Sequence, residues 1–286
     1  MKAQFEKIPE FNESSIYAFC FKNTHFDAPL HFHPEYELTY ILKGKGIRYV
    51  GNSIQNFEAG DFVLIGKNVP HCWKDSGINQ TEVKSIVIQF DDTFLGNGWQ
   101  DKNEFRTIKK LLLNASNGIK FSAKTAKLFK IKLKELLEKS PFEKLIYFLQ
   151  LLNHLSNTRK NKYLITEGFT PVLNLKTNNR IDLVYNYVHN NYHKKIVLGT
   201  VAAIINLSEE AFCRFFKKAL NKSFFTFINE YRINAACKLL LDSKKTVSEI
   251  AFNCGYDSLP FFYRQFKKFK KTTPLNFKSD YSTLEK

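Results

Sequence analysis

The chain has 286 residues, 44 % of them hydrophobic and 15 % aromatic, with a formal net charge of +16. That length suggests two domains rather than one core, and the aromatic content excludes a disordered chain. The charge is uneven: residues 1–100 hold 9 Lys and Arg against 12 Asp and Glu, residues 101–179 hold 16 against 6, and residues 180–286 hold 18 against 9, so a polyanionic partner would meet the rear two thirds.

The opening "MKAQFEKIPEFNESS" is charged and lacks an apolar h-region, so no signal peptide is expected. The longest apolar stretch, "LIYFLQLLNHL", is too short to span a bilayer. Cys20, Cys72, Cys213, Cys237 and Cys254 form no C-x-x-C pair and are odd in number, which fits a reduced cytoplasm.

From residue 16 to 90 the pattern is of strands: "IYAFCF", "ELTYIL", "GIRYVG", "DFVLIG" and "KSIVIQF" are short, rich in β-branched and aromatic residues, and separated by Gly, Asn, Asp or Pro. Many short strands at this spacing predict a barrel or sandwich over residues 1–100. The second strand lies within "HFHPEYELTYILKGKG". On a strand, His31, His33 and Glu37 share parity and point to one face, as does Glu35; His71, in "NVPHCW", would join them from a neighbouring strand. Three imidazoles and a carboxylate suit Zn, Fe, Mn or Ni. The set reads in three ways: a metalloenzyme centre, polar groups orienting an effector in a pocket, or partly exposed rim residues without a ligand.

Beyond residue 101, glycine becomes sparse and the apolar period lengthens to three or four. "EFRTIKKLLLNA", "KTAKLFKIKLKELLEK" and "PFEKLIYFLQLLNHLS" predict helices within a region spanning 101–157. In the last, Phe142, Leu145, Leu149 and Leu152 form a stripe that Ile146, Phe148 and Leu155 widen. So apolar a helix packs on more than one side, either within the chain or in a helical dimer seam. Periodicity fades over residues 156–179, and 158–179 is assigned as a linker. From 180 to 286 the chain is helical again.

Two segments of this last region resemble each other: "VAAIINLSEEAFCRFFKK" from Val201 and "IAFNCGYDSLPFFYRQFKK" from Ile250. Each has a small Ala (Ala202, Ala251), then a residue tolerant of left-handed backbone (Asn206, Gly255). Each continues with a polar N-cap candidate (Ser208, Asp257) and an amphipathic helix with an outward Arg and a Lys-Lys ending. That is the plan of a helix-turn-helix, whose second helix enters the major groove. Between the copies, Ser223 to Leu241 predicts a helix of roughly 28 Å, close to the roughly 34 Å between successive major-groove faces of a duplex.

The segment "INEYRINAACKLLLDSKKTVSEIAFNCGYDSLPFFYRQFKKFKKTTPLNFK" resembles the AraC family of bacterial transcription regulators almost throughout, and "HFHPEYELTYILKGKG…GDFVLIGKNVPHCW" is similar to that family's cupin-like sensor half. The resemblance implies an α+β two-domain fold: an amino-terminal cupin-like β-barrel followed by a helical pair, then an all-α domain with two helix-turn-helix units. It implies that Glu210, Cys213 and Arg214 on a first reading helix (Glu209 to Lys218), and Leu259, Pro260, Phe261, Tyr263 and Arg264 on a second (Ser258 to Lys268), face bases. Ser208, Lys217, Lys218, Ser258, Lys267 and Lys268 would meet phosphates, which position without specifying. Arg214 and Arg264 are the leading base readers, since Arg pairs bidentately with guanine.

It further implies a cytoplasmic, homodimeric activator that binds double-stranded DNA and works with RNA polymerase. A sugar or other small metabolite would be sensed by His31, His33, Glu37 and His71, with no cofactor, no metal, no catalysis and no membrane association expected. If a metal were present, those four residues would hold it. The alternative is a metal-dependent cupin enzyme with a basic tail that associates with nucleic acid.

The sequence departs from the family pattern in places. Thr246 and Glu249 form a capping box before the second unit, whereas Val197 and Thr200 cannot cap the first. Asn221 and Lys271 stand where the reading helices would end on Gly. Gly66 and Asn68 replace the usual Pro and Gly of the second cupin motif, while Gly60 and His71 remain.

Overall fold

The computed structural model describes residues 15–26, 28–75, 82–166, 168–169, 175–243 and 245–282. The chain forms two compact units that divide near Leu175.

In the first unit, β1 (Ile16–Asn23), β2 (Tyr36–Lys43), β5 (Phe62–Ile65) and β7 (Val83–Phe90) form most of a six-stranded sheet in the order β1-β7-β2-β5-β8-β9. It is completed by β8 (Ile119–Lys120) and β9 (Lys162–Tyr163). A second sheet has β3 (Gly46–Val50) at its centre, between β4 (Ser53–Phe57) and β6 (His71–Asp75). Ile41, Val63, Ile65 and Val83 of the first sheet share a core with Val50, Phe57 and Trp73 of the second, so the two sheets close around a common interior.

The larger sheet is buried on both faces, so that β2 is buried from Tyr36 to Ile41, its polar Glu37 and Thr39 included. Its other face carries Leu38, Tyr40, Phe62, Leu64, Ile86, Ile88 and Phe90. These pack against α1 (Arg106–Asn114), α2 (Ala123–Glu138) and α3 (Pro141–Ser156) through Ile108, Leu112, Phe129, Leu133, Phe148 and Leu152. The buried stripe of α3 is Phe148, Leu151, Leu152 and Leu155; Phe142, expected within it, is 73 % exposed, and Ile146 is exposed as well. The face that meets the sheet lies further along α3 than the sequence stripe suggested, because Pro141 and the Ser140–Glu143 capping box begin the helix at the solvent edge.

Residues 158–179 do not form a uniform linker. Lys162 and Tyr163 pair with β8, and Leu164 and Ile165 fill the interior of the first unit. The first helix of the second unit, α4 (Leu175–Asn191), begins inside the assigned stretch.

The second unit is all helical. After α4 come α5 (Leu198–Ile204), α6 (Glu209–Leu220), α7 (Phe224–Asp242), α8 (Val247–Asn253), α9 (Leu259–Lys270) and α10 (Pro274–Ser282). The repeat is visible in the elements: α5 and α8 have 7 residues each, and α6 and α9 have 12. Ala202 and Ala251 are both buried where the following helix approaches. Asn206 and Gly255 both take positive φ in the turn, at 54° and 77°. The N-cap of α9 is Ser258, not Asp257: its hydroxyl accepts from the Phe261 N–H, with Pro260 in the first helical turn, where a missing N–H costs nothing. The extra residue of the second unit therefore lies in the turn before the cap. Thr246 and Glu249 make the capping box, and Val197 caps nothing with its side chain.

Both reading helices end on a left-handed residue, Asn221 at φ 52° and Lys271 at φ 61°. Asn tolerates that conformation, whereas Lys pays about 1–2 kcal/mol for it. Lys271→Gly is therefore expected to stabilise the domain by about 1 kcal/mol, read as a higher Tm; an unchanged or lower Tm would contradict the account.

Candidate functional sites

Two places in the chain gather chemistry-bearing side chains. The first is inside the two-sheet unit. Sequence parity puts His31, His33 and Glu37 on one strand face, but only Glu37 lies on a strand. His31 and His33 sit on an irregular segment before β2, where His31 N–H donates to His71 O and His71 N–H to His31 O at 3.1 and 2.9 Å. His71 starts β6, so it comes from the facing sheet rather than from a neighbour of β2. The four side chains still converge: one ligand atom from each lies within 4.8 Å of the others. All four residues are buried, which removes the exposed-rim reading.

The hydrogen bonds set the imidazole tautomers. His31 Nδ1 is 2.9 Å from Pro29 O, and His71 Nδ1 is 2.8 Å from Val69 O. A carbonyl can only accept, so each Nδ1 carries the proton, and in the neutral ring Nε2 is left with its lone pair. Burial, reinforced by His71, drives the His31 pKa down to about 3, so that ring is neutral. For His33, burial works against the charge, but bonds to Glu35 and Glu37 outweigh it and lift the pKa to about 9. Glu37 is the hub: its Oε1 accepts from Thr39 at 2.7 Å, and its Oε2 accepts from Gln89 at 3.0 Å and lies 3.2 Å from His33 Nε2. Burial alone would raise its pKa, but His71 and the His33 bond hold it well below the usual carboxylate range. His71 Nε2 is 3.5 Å from the same oxygen without hydrogen-bond geometry. Of the altered second motif, Asn68 supplies at φ 59° the left-handed turn that Gly would provide.

Thr39 and Gln89, which steady Glu37, are absent from the sequence reading. Both face the interior from β2 and β7, two and zero pairing positions from Glu37; parity along β2 could have found Thr39, but Gln89 needed the strand register. A second polar group in the same interior, Arg48 paired with Asp61 and backed by Lys120 Nζ at 2.9 Å, was also not read.

The second place is the outer face of α6 and α9. Glu210, Cys213, Arg214, Lys217 and Lys218 are all exposed on α6, with Phe212 and Phe216 turned into the core. On α9, Pro260, Phe261, Arg264, Lys267 and Lys268 are exposed, Leu259 and Tyr263 are half-buried, and Phe262 and Phe266 are buried. The amphipathic split thus leaves the expected base-facing and phosphate-facing residues on the open side of each helix. Among the described residues, neither Arg214 nor Arg264 is in a salt bridge; the Arg264 guanidinium lies 5.7 Å from the Phe261 ring centroid, one turn earlier. Ser208 and Ser258 cap their helices by accepting from Ala211 and Phe261 N–H groups, which leaves each hydroxyl hydrogen available to a phosphate oxygen. Arg232 on α7 carries no local sequence signal of its role: its Nε and Nη2 donate to the Tyr192 and Lys194 carbonyls at 2.8 and 2.7 Å, tying the segment after α4 to α7 beside the Gly255 turn.

Residues 201–280 match a helix-turn-helix domain family, and residues 19–87 match a cupin domain family. The chain is similar to the HTH-type transcriptional regulator YdeC of Bacillus subtilis (strain 168), at 24 % identity over 87 % of this chain and 86 % of that protein. It is also similar to an HTH-type transcriptional regulator in the cgkA 5′ region of Pseudoalteromonas carrageenovora, at 38 % identity over 34 % of this chain and 57 % of that protein. Among solved structures, a transcriptional regulator of AraC-type DNA-binding-domain-containing proteins from Chromobacterium violaceum aligns at 22 % identity and a TM-score of 0.35, covering 37 % of this chain and 95 % of that one.

Proposed function

We propose, from the premise that the chain is an AraC-type transcription regulator joining a cupin domain to a double helix-turn-helix domain, that it binds a two-part DNA site through α6 and α9 and that a small ligand in the two-sheet unit controls this binding. The observation that carries the reading is the repeat itself: two short-helix, turn, long-helix units, each with an exposed Arg and a Lys pair on the open face of its second helix. The connecting α7 has 19 residues, about 28 Å of helix, which suits two readers on one side of a duplex. Arg214 and Arg264 read base edges, and Lys217, Lys218, Lys267 and Lys268 meet phosphates. The ligand site is the His31, His33, Glu37 and His71 cluster, and no catalytic role is assigned to it.

Expected outcomes differ for the two classes of contact. Arg264→Ala and Arg214→Ala should each relax sequence preference over a few base pairs in one half of the site, at about 1–3 kcal/mol. Lys217→Ala should weaken all sequences alike and reduce the salt slope by about 1. Fluorescence anisotropy against a set of single-base variants reads both. If the Arg variants keep the parental sequence preference, the groove assignment is wrong.

The regulator acts in the cytoplasm as a homodimeric activator with RNA polymerase as its partner. The dimer surface we assign is α2, where Leu128 and Ile131 are 61 % and 66 % exposed. Exposed Lys124 and Glu138 are equidistant from Ile131 along α2, as are Lys127 and Glu135. Antiparallel pairing of two copies about Ile131 would therefore set lysines against glutamates. Ile131→Asp is expected to convert the dimer to monomer in sedimentation equilibrium; a variant that stays dimeric would rule out this face.

A further inference from the structure

We infer that Pro260 and Phe261 make the α9 head a reader of pyrimidine C5-methyl groups, those of thymine or 5-methylcytosine, beside a guanine taken by Arg264, and that the α6 head lacks this contact. The inference rests on the regulator reading above and names what one half of its DNA site contains.

The two reading helices have the same length, 12 residues. Arg214 and Arg264 both stand sixth and exposed, and exposed lysines stand ninth and tenth in both. Those shared positions give the two halves of a site the same contacts. The first turns differ. α6 opens with Glu209, Glu210 and Ala211, and α9 with Leu259, Pro260 and Phe261. Residues near the N-terminus of a reading helix are the ones that reach base edges.

The opening of α9 is built as an apolar surface. Pro260 has no N–H, and the Phe261 N–H is taken by Ser258 Oγ, so two of the first three backbone donors are not offered to a phosphate or a base. Pro260 and Phe261 are exposed, and Leu259 is half-buried beside them. The Phe261 ring is already packed: its centroid is 6.0 Å from that of the buried Tyr256 ring and 5.7 Å from the Arg264 guanidinium carbon. A ring held in this way has little rotamer freedom left to lose on meeting DNA.

The groove limits what such a surface can meet. Base edges there present nitrogen and oxygen groups and one apolar group, the thymine methyl. Pressing Pro260 and Phe261 on a polar edge strips its water and returns no hydrogen bond. Pressing them on a methyl removes apolar surface from water on both partners. The methyl of 5-methylcytosine stands on the same ring carbon, so this contact does not separate it from thymine. Arg264 lies one helical turn after Pro260 and Phe261, placed to take N7 and O6 of a nearby guanine. On α6 the Glu210 carboxylate, an acceptor only, suits the cytosine N4 donor and gains nothing from a methyl.

The test begins with the full chain selecting its site from a random duplex library. The α9 half is the one whose preference Arg264→Ala relaxes. Single replacement of thymine by deoxyuridine there, which removes only the methyl, should weaken binding about fourfold at one or more positions. The same replacement in the α6 half should change affinity by less than about twofold. At the sensitive position, 5-methylcytosine should bind more tightly than cytosine by about the same fourfold. Phe261→Ala should bring the thymine-to-deoxyuridine ratio close to one, and Phe261→Leu should keep it; the wild-type comparison stands even if a variant fails to fold. Sequence-specific binding that is indifferent to every deoxyuridine, or equally sensitive in both halves, overturns the inference and leaves the regulator reading standing. So does an Arg264→Ala chain that relaxes neither half, or a Phe261→Ala chain that keeps full methyl discrimination. If no sequence is enriched from the library, the regulator reading itself is what fails.

Discussion

Asp61→Ala is expected to cost the two-sheet unit about 3–5 kcal/mol, read as a lower urea midpoint at unchanged m-value. Arg48 is 1 % exposed and its guanidinium pairs with the Asp61 carboxylate, which is equally buried; Lys120 Nζ reaches the other carboxylate oxygen at 2.9 Å. Removing the carboxylate takes the Asp61 counter-charge away from a fully buried guanidinium and a partly exposed ammonium, and Arg does not escape by losing its proton. The same triad makes the unit acid-sensitive. Burial alone would raise the Asp61 pKa, but Arg48 and Lys120 outweigh it and hold the value below the ordinary 3.8. A depressed folded-state pKa contributes stability that is present above 3.8 and is lost as pH falls through the lower folded value. A variant as stable as the parent at pH 7 would show that the pair contributes nothing net.

Gly255→Ala is expected to cost about 3 kcal/mol or more and to abolish recognition of the half-site read by α9. Gly255 has φ +77°, and a Cβ there would sit 2.4 Å from the Tyr192 carbonyl oxygen and 2.8 Å from Arg232 Nη2. The carbonyl is backbone and is held by Arg232 Nε, so relief requires moving the end of α4 or surrendering the Arg232 bonds. The first unit provides the contrast. Asn206 takes φ 54° at the equivalent turn with a side chain already present, so Asn206→Gly should leave both fold and DNA binding intact. Footprinting of the two variants on one DNA reads the difference; protection by Gly255→Ala over the full site would refute it.

The second unit was legible in nearly every helix because its signals are local: Thr246–Glu249 and Ser208 are caps, and Phe212/Phe216 and Phe262/Phe266 repeat at helical spacing. The α9 cap was misplaced by one residue, since Asp257 and Ser258 are both competent and only the turn geometry selects between them. The first unit was legible in its apolar strands and not in its polar ones. β4 "SIQNF" and β6 "HCWKD" carry residues depleted in strands, and their strand state comes from pairing with β3. Period-two reasoning grouped residues that do converge, but for an incomplete reason: Glu37 alone is on a strand, and long-range closure of two sheets brings His71 to it. Gln89 and the Arg48–Asp61 pair depend on cross-strand register, which no local pattern encodes.

The extra residue in the turn before Ser258 has a consequence for the DNA. The two reading heads are unlike in turn length and in chemistry: α6 opens with Glu209 and Glu210, whereas α9 opens with Leu259, Pro260 and Phe261. A single chain carrying unlike heads on one helix has a front and a back along the duplex. The target of one chain is therefore expected to be an asymmetric phrase rather than a palindrome, so that reversing it relative to a gene turns the bound protein around.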